Sequence, residues 1–175
     1  MENEKINILI NEKQIQERII ELGKEISKDY KNKNLYVLSL LRGSFIYTAD
    51  LVRHITVPTK IGFMTTSSYG NLEESIGSVI VLNGIPDNIE NLDVLIVDDI
   101  VDTGITMKFV KNHVLGLGAA SVKCSALLDK PERRKVDIKP DYCCFEIPNV
   151  FVVGYGLNYG DYYRNIPYVF NWKDE

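Results

Sequence analysis

The stretch that decides how this chain is interpreted is Val94-Leu95-Ile96-Val97-Asp98-Asp99-Ile100-Val101-Asp102-Thr103-Gly104-Ile105-Thr106. Four apolar residues run into two adjacent acids, and a short loop with a third acid, a glycine and two threonines follows. The apolar run predicts a buried strand that ends at Val97, which leaves both carboxylates at its carboxyl end. Because ionised carboxylates only accept hydrogen bonds, such a pair suits the two hydroxyls of a ribose or a Mg²⁺ ion.

The loop after the acid pair has the features of an anion site. Gly104 lets the backbone turn tightly and approach an anion closely. Apolar residues at helical spacing from Met107 onward predict a helix, whose free N–H groups and positive dipole end face the loop. Thr103 and Thr106 add hydroxyl donors. A phosphate therefore fits this loop, whereas a Walker-type nucleotide site is disfavoured because the chain has no G-x-x-x-x-G-K-[ST] motif.

The rest of the chain alternates predicted strands with predicted helices. Asn11 followed by Gln14 resembles a capping box that opens a helix ending near Tyr30. Residues 65–78 are polar and lack an apolar period, which predicts a long functional loop. The alternation indicates a mostly parallel α/β sheet, in which ligands bind beyond the carboxyl ends of the strands. The predicted strands cover residues 35–40, 61–64, 79–82, 93–97, 121–128 and 141–147.

Composition sets the class of protein. The chain has 175 residues, 45% of them hydrophobic and 25% charged, which fits one soluble globular domain. A formal net charge of −4 argues against a nucleic-acid partner. The one dense basic cluster, Arg133-Arg134-Lys135, is expected to be a solvated turn.

The sequence also bears on location. No apolar run is long enough to cross a bilayer, so no membrane contact is expected. The first residues lack the pattern of a signal peptide. Cys124, Cys143 and Cys144 form no C-x-x-C pair and are odd in number, which is typical of inert thiols in a reducing cytosol. We therefore expect a cytoplasmic protein.

Residues 98–106 closely resemble the phosphoribosyl-pyrophosphate (PRPP) motif of type I phosphoribosyltransferases. Further segments, in the right order over roughly residues 35–170, are similar to the hypoxanthine-guanine branch of that family. They are Leu41-Arg42-Gly43-Ser44-Phe45, Ser67-Ser68-Tyr69-Gly70, Leu127-Leu128-Asp129-Lys130, Phe145-Glu146-Ile147-Pro148 through Phe151-Val152-Val153-Gly154-Tyr155-Gly156-Leu157, and Tyr163-Arg164-Asn165.

The resemblance implies the type I phosphoribosyltransferase fold, an α/β architecture with a mostly parallel central sheet flanked by helices. One domain would take residues 1–175, with a core of about 35–147. A small hood would come from the N-terminal segment and about 148–175. A mobile catalytic loop would take about 65–80.

The resemblance also implies a role for each site residue. Asp102 would be the general base near N7 of the purine, with Ser68 and Tyr69 closing over the reaction. Three further groups would bind substrate. They are Asp98, Asp99, Asp102, Thr103, Gly104, Ile105 and Thr106 for ribose and its phosphate; Arg42, Gly43 and Arg164 for pyrophosphate; and Lys130, Phe151, Val152 and Asn158 for the purine.

The implied activity is purine salvage, in which the 5-phosphoribosyl group passes from PRPP to N9 of hypoxanthine or guanine. The products would be IMP or GMP and pyrophosphate, and the implied cofactor is Mg²⁺, held by Asp98 and Asp99. A homodimer or homotetramer is implied as well. The alternatives are a preference for xanthine or for hypoxanthine alone, and a non-catalytic regulator that senses PRPP or nucleotide.

Three positions differ from the residues that are usual in the family. Asp98 stands where glutamate is usual, and Arg42 where lysine is usual. Asn158 stands where an aspartate usually helps to bind a second Mg²⁺, and a neutral amide is a weaker ligand for that ion.

Taken alone, Lys130 is expected to be a surface lysine and Phe151 a core phenylalanine.

Overall fold

The computed structural model describes residues 7–68, 79–85 and 87–172. Within them lie nine strands and three α-helices. The helices are α1 (Glu12–Asp29), α2 (Phe45–Val52) and α3 (Ile105–Gly116). The strands are β1 (Asn7–Ile10), β2 (Leu35–Leu41), β3 (Thr59–Ser68), β4 (Val79–Asn83), β5 (Asp93–Val101), β6 (Ser121–Asp129), β7 (Tyr142–Glu146), β8 (Val152–Val153) and β9 (Val169–Asn171).

Six strands form the central sheet, in the order β4-β3-β2-β5-β6-β7. All neighbouring pairs are parallel except β3 and β4, which are antiparallel. This confirms the predicted mostly parallel α/β sheet. The chain leaves β2 toward one edge through α2 and leaves β5 toward the other through α3. The strand order therefore reverses between β2 and β5, and this reversal is where open α/β sheets bind ligands.

Local sequence explains the first helix. The Asn11 side chain accepts from the Gln14 backbone, and the Gln14 side chain accepts from the Asn11 backbone, both at 2.9 Å. This reciprocal arrangement satisfies two N–H groups that a helix start leaves without partners, and it confirms the predicted capping box. The predicted apolar face is fully buried; its members are Ile15, Ile19, Leu22 and Ile26.

Alternation along the strands divides the core into two layers. In β5, Leu95 and Val97 pack into one apolar cluster with α1 and α2, whereas Val94 and Ile96 pack into the other with α3. Successive side chains of a strand point to opposite faces, so a continuous apolar run serves a sheet that is covered on both sides.

A second, smaller sheet joins the two ends of the described chain. Its order is β1-β9-β8, with antiparallel pairing throughout. Val152 of β8 and Val169 of β9 belong to the same apolar cluster as Leu95 and Val97 of β5, so the small sheet packs against the central one. Among the described residues, no helix is both long enough and apolar enough to cross a membrane.

Two predicted strand ends are wrong. β5 does not stop at Val97 but continues to Val101, because β6 keeps pairing with it as far as the Val101–Asp129 register. On its other side, pairing with β2 ends at Val97. Asp98 and Asp99 thus lie inside the strand, along an edge that β2 has left open.

The second wrong boundary concerns the polar stretch predicted as a loop over residues 65–78. Its first four residues belong to β3, which pairs with β4 from the Thr65–Asn83 register to the Ser68–Val79 register. The antiparallel partner satisfies their backbone groups, which the sequence pattern did not reveal. Tyr69 and residues 70–78 lie outside the described residues, as does the Ser68 side chain.

Candidate active site

The acid pair lies on the open edge of β5 at the point where the strand order reverses. Asp98 and Asp99 are half-buried, and each carboxylate accepts one backbone N–H at 3.0 Å, from Asp99 and Ile100 respectively. Burial raises the pKa of both carboxyls, and the neighbouring charge of Asp99 raises that of Asp98 further. Two adjacent carboxylates with few donors are suited to a cation or to ligand hydroxyls.

The turn after β2 fits closely against this acid pair. Gly43 is buried, and a Cβ built on it would lie 1.7 Å from Asp99 Oδ2 and 2.5 Å from its Cγ. Only a residue without a side chain can stand there while the carboxylate keeps its place. The preceding residue, Arg42, is exposed, and the peptide bond between Leu41 and Arg42 is cis.

The C-terminal segment, which runs from β8 to β9 and contains Gly156 and Arg164, closes the other side of the same turn. A Cβ built on Gly156, whose φ is +101°, would lie 2.1 Å from the carbonyl oxygen of Gly43. Arg164 is tied to Gly156 twice: its Nη1 donates to the Gly156 carbonyl at 2.6 Å, and its own carbonyl accepts from the Gly156 N–H at 2.9 Å. The Arg164 guanidinium also counteracts part of the rise in the pKa of Asp99. The predicted pyrophosphate residues Gly43 and Arg164 therefore meet beside Asp99.

A chain of buried hydroxyls underlies the turn, and sequence reasoning missed it. Ser44 Oγ donates to the Leu40 carbonyl at 2.6 Å, and Ser39 Oγ lies 2.8 Å from both Ser44 Oγ and Thr48 Oγ1. Since Ser44 has a single hydrogen, Ser39 donates to Ser44 and accepts from Thr48. These bonds tie the end of β2 to the first turn of α2. The available signal was a serine in the middle of an apolar strand.

The predicted phosphate loop has the expected shape. Gly104 has φ +80° and precedes the first residue of α3, so the helix begins directly after a left-handed residue. The Ile105 N–H donates to Thr103 Oγ1 at 3.4 Å, and the Lys108 N–H donates to the Gly104 carbonyl at 2.9 Å. Thr106 lies in the first turn of α3. The positive end of the helix dipole and the two hydroxyls suit a phosphate.

The basic cluster is the turn that its charge predicted, with Arg133 and Lys135 exposed, but the Arg134 side chain is only 16% exposed and its guanidinium has partners within the protein. Arg134 donates to the Asp102 carbonyl at 3.0 Å and pairs with the carboxylate of Asp129, which is buried. Arg133 Nε lies 3.0 Å from Asp102 Oδ1, and the Lys135 N–H donates to the Thr103 carbonyl at 2.9 Å. The oxygens of Asp102 and the carboxylate of Asp129 explain the difference, because they give the two guanidinium groups partners within the protein. A run of three cations was the only sequence signal.

The exposures of Lys130 and Phe151 are the reverse of what each residue predicts by itself. Lys130 is 7% exposed, and its burial lowers the pKa of its ammonium group. Phe151 is 52% exposed and meets Tyr159 edge to face, with ring centroids 6.1 Å apart. A buried lysine at the end of β6 and an exposed aromatic ring are suited to binding a polar planar ligand.

The remaining purine residues lie in the C-terminal segment. Val152 is buried in β8 and pairs with Asn171 of β9. Asn158 donates a hydrogen bond from its side-chain NH2 to the carbonyl of Gly160. In the part of the chain that the structure describes, no three acidic, histidine or cysteine side chains cluster as a metal site.

This chain is similar over nearly its whole length to known phosphoribosyltransferases. The profile of the family described as "Phosphoribosyl transferase domain" matches residues 7–160. A hypoxanthine-guanine phosphoribosyltransferase of Lactococcus lactis is 46% identical over 168 residues, which cover 96% of this chain and 91% of the relative.

Solved structures agree with this similarity. A hypoxanthine phosphoribosyltransferase of Staphylococcus aureus has a TM-score of 0.92 and 41% identity, covering 95% of this chain and 91% of that one. A Trypanosoma cruzi hypoxanthine phosphoribosyltransferase variant, in a ternary complex with substrates, has a TM-score of 0.89 and 41% identity, covering 95% and 94%. With this identity over almost its full length, the chain belongs to the phosphoribosyltransferase family, in its hypoxanthine-guanine branch.

Proposed function

We propose that this protein acts in purine salvage, transferring the 5-phosphoribosyl group of PRPP to N9 of hypoxanthine or guanine. One observation carries the proposal. The acid pair of β5 is bordered by the Gly43 turn and is followed at once by the phosphate loop. A ribose that carries pyrophosphate on one carbon and phosphate on another requires this succession of sites.

Each part of PRPP finds a chemically matched group. Asp98 and Asp99 accept hydrogen bonds from the ribose hydroxyls. The backbone and hydroxyls between Thr103 and Thr106 hold the 5′-phosphate at the start of α3. The Arg42-Gly43 turn and Arg164 bind the pyrophosphate, where the guanidinium groups offset its negative charge.

The purine is held by the residues that follow β6 and by the C-terminal segment. Lys130 donates to the exocyclic O6, Phe151 stacks on the ring, and Val152 offers backbone groups to the ring edge. In the reaction, the electron pair of the C1–O bond leaves with pyrophosphate, and N9 supplies the pair for the new C1–N9 bond. Asp102 accepts the proton that N7 gives up. Ser68 and Tyr69 are proposed to help exclude water from the ribosyl cation.

The donor set around the acid pair fits Mg²⁺. Asp98 and Asp99 provide hard carboxylate oxygens, and burial raises the pKa of both carboxyls, so a bound cation would favour their charged forms. Mg²⁺ is commonly held by one or two carboxylates together with substrate phosphates and water, so two acids suffice. Bound there, Mg²⁺ would neutralise negative charge on the leaving pyrophosphate.

Base selectivity tests the proposal directly. The protein is expected to form IMP and GMP from PRPP with Mg²⁺, and to convert adenine poorly. A lysine donates but cannot accept a hydrogen bond, so it favours a 6-oxo over a 6-amino purine. Steady-state assays with hypoxanthine, guanine, xanthine and adenine measure this. Efficient AMP formation would contradict the assignment of Lys130, and no product with any base would favour the non-catalytic regulator.

A matched pair of variants isolates the role of the lysine. Lys130→Met is expected to raise KM for hypoxanthine about 10- to 100-fold, the usual effect of losing a charge-assisted hydrogen bond. The control is Lys13→Met, which removes the amino group of a side chain that is 83% exposed on α1 and lies in no proposed site. Equal kinetics for the two variants would argue against contact between Lys130 and the base.

Asn158 determines the expected metal dependence. Asn158→Asp is expected to lower the Mg²⁺ concentration for half-maximal rate, since a carboxylate binds this ion better than an amide does. Asn158→Ala is the control, because both variants lose the bond to the Gly160 carbonyl and only one adds a carboxylate. Rates measured over a Mg²⁺ titration compare them, and identical half-maximal concentrations would exclude Asn158 from the metal site.

The proposed setting is the cytoplasm, where the protein would act as a homodimer or homotetramer. All three cysteines are free thiols, and burial raises the pKa of each, to about 12 for Cys124. Cys124 and Cys144 are buried and Cys143 is half-buried, and thiols with a raised pKa of this kind are inert and typical of a reducing compartment. Sedimentation of the purified protein would give its assembly state.

A further inference from the structure

The proposed general base, Asp102, has a partner that the proposed function does not use. Arg133 Nε lies 3.0 Å from Asp102 Oδ1, within hydrogen-bond distance. The two residues are 31 positions apart, so the contact depends on the tertiary fold. Both side chains are partly open to solvent, with 48% of Arg133 and 37% of Asp102 exposed.

The turn that carries Arg133, Arg134 and Lys135, here called the basic turn, is hydrogen-bonded at several points to the phosphate loop, residues 102–106. The Arg133 N–H donates to the Lys130 carbonyl at 3.1 Å, within the single 3-10 turn Pro131–Arg133. Arg134 donates to the Asp102 carbonyl, and the Lys135 N–H donates to the Thr103 carbonyl. Two backbone bonds and one bond from the Arg134 guanidinium therefore hold Arg133 near Asp102 independently of the ion pair.

The same turn connects the base site to the phosphate loop. Arg133 comes three residues after Lys130, and the Lys130 N–H donates to the Val101 carbonyl at 2.9 Å. Lys130, Arg133 and Asp102 thus form one bonded unit at the carboxyl ends of β5 and β6. Within this unit, the Arg133 side chain contacts the proposed proton acceptor, Asp102.

Stability is a poor explanation for the ion pair. Exposed pairs of this type contribute little to the folding free energy, because water screens the charges and long side chains lose freedom. Orientation explains it better. An aspartate side chain turns about two bonds, and a hydrogen bond to one carboxylate oxygen stops that rotation. With Oδ1 held by Arg133, the second oxygen is the one left to bind a ligand.

We propose that Arg133 is a positioning residue for the phosphoribosyl transfer: it holds Asp102 Oδ1 so that the other carboxylate oxygen is aimed at the purine proton. The inference rests on the proposed function, because it needs Asp102 to accept that proton. Arg133 touches neither PRPP nor purine in this account and acts through Asp102 alone.

A double-mutant cycle tests the proposal on the full chain, with IMP formation as the readout. Arg133→Gln is expected to lower kcat about 10- to 100-fold, the size of effect that a misplaced catalytic group produces. KM for PRPP should change less than about threefold. The melting temperature should fall by less than about 4 °C, as for loss of an exposed ion pair in a protein of this size.

Further variants separate positioning from general damage. When Asp102→Asn is already present, adding Arg133→Gln should lower kcat by a further factor of less than about two, because the group that Arg133 positions is already lost. Arg133→Lys should recover part of kcat, since an ammonium group also donates to the carboxylate. The control Arg53→Gln removes an exposed arginine that pairs with Asp50 on α2, and should leave kcat unchanged.

The outcomes are distinct. An unchanged or increased kcat in Arg133→Gln would overturn the inference, as would losses that multiply in the double variant. Either result in an active wild-type protein leaves the proposed function standing. A wild-type protein that forms no nucleotide from any purine would contradict the proposed function, and the inference with it.

Discussion

Gly156→Ala is expected to lower the melting temperature by roughly 6–12 °C and kcat/KM for PRPP by about 100-fold. A Cβ at this position would lie 2.1 Å from the carbonyl oxygen of Gly43, and φ is +101°, a conformation that side chains rarely adopt. Backbone strain and overpacking together cost about 3 kcal/mol. Because the Gly43 carbonyl belongs to the Arg42-Gly43 turn, which is proposed to bind pyrophosphate, relief of the clash must displace that turn.

The control for this variant is Gly116→Ala. Gly116 is the last residue of α3, and a Cβ built there has nothing within 4 Å. Alanine favours a helix over glycine by up to about 1 kcal/mol, so this variant should be unchanged or slightly more stable. Thermal unfolding and PRPP saturation kinetics compare the two. If Gly156→Ala behaves like its control, the packing of the C-terminal segment on the Gly43 turn is not as described.

Arg134→Met is expected to destabilise the protein by about 3 kcal/mol, a fall in melting temperature of roughly 6–12 °C. The side chain is 16% exposed and pairs with Asp129, whose side chain is 4% exposed. Removing the arginine leaves the carboxylate buried without a cation, which costs more than the pair itself contributed. Denaturant unfolding of the purified variant measures the loss.

The double variant shows whether the buried charge is the cause. Arg134→Met with Asp129→Asn should be more stable than Arg134→Met alone, since no unpaired charge stays in the interior. Arg53→Met should cost less than about 1 kcal/mol, because this arginine is 72% exposed and its partner Asp50 keeps its hydrogen bonds from Gln16 and Tyr155. A double variant no better than the single one would show that Arg134 acts through its bond to the Asp102 carbonyl instead.

Local features were read correctly from the sequence. The Asn11–Gln14 capping box forms, and the apolar face of α1 is buried, because both depend on residues within one or two turns of a helix. The tight turn at Gly104, which is left-handed and precedes α3, likewise depends on residues close together in the chain. The alternation of strands and helices was sufficient to predict a mostly parallel sheet.

Strand ends were read incorrectly, because a strand extends as far as its neighbour pairs with it. β5 continues to Val101 beside β6, and β3 continues to Ser68 beside β4. The exposures of Lys130 and Phe151 were likewise opposite to what each residue type favours. The burial of a residue depends on which other parts of the chain pack over it, whereas its type indicates only how often such residues are buried on average.

The sequence by itself determined the local chemistry of this protein: a buried strand that carries two acids, a phosphate loop at a helix start, and a family resemblance through separated motifs. Only the tertiary structure decided what surrounds that chemistry. Gly43 lies between Asp99 and Gly156, and Arg133 reaches Asp102. These residues are far apart along the chain, and they meet only once the central sheet, the basic turn and the C-terminal segment have packed together.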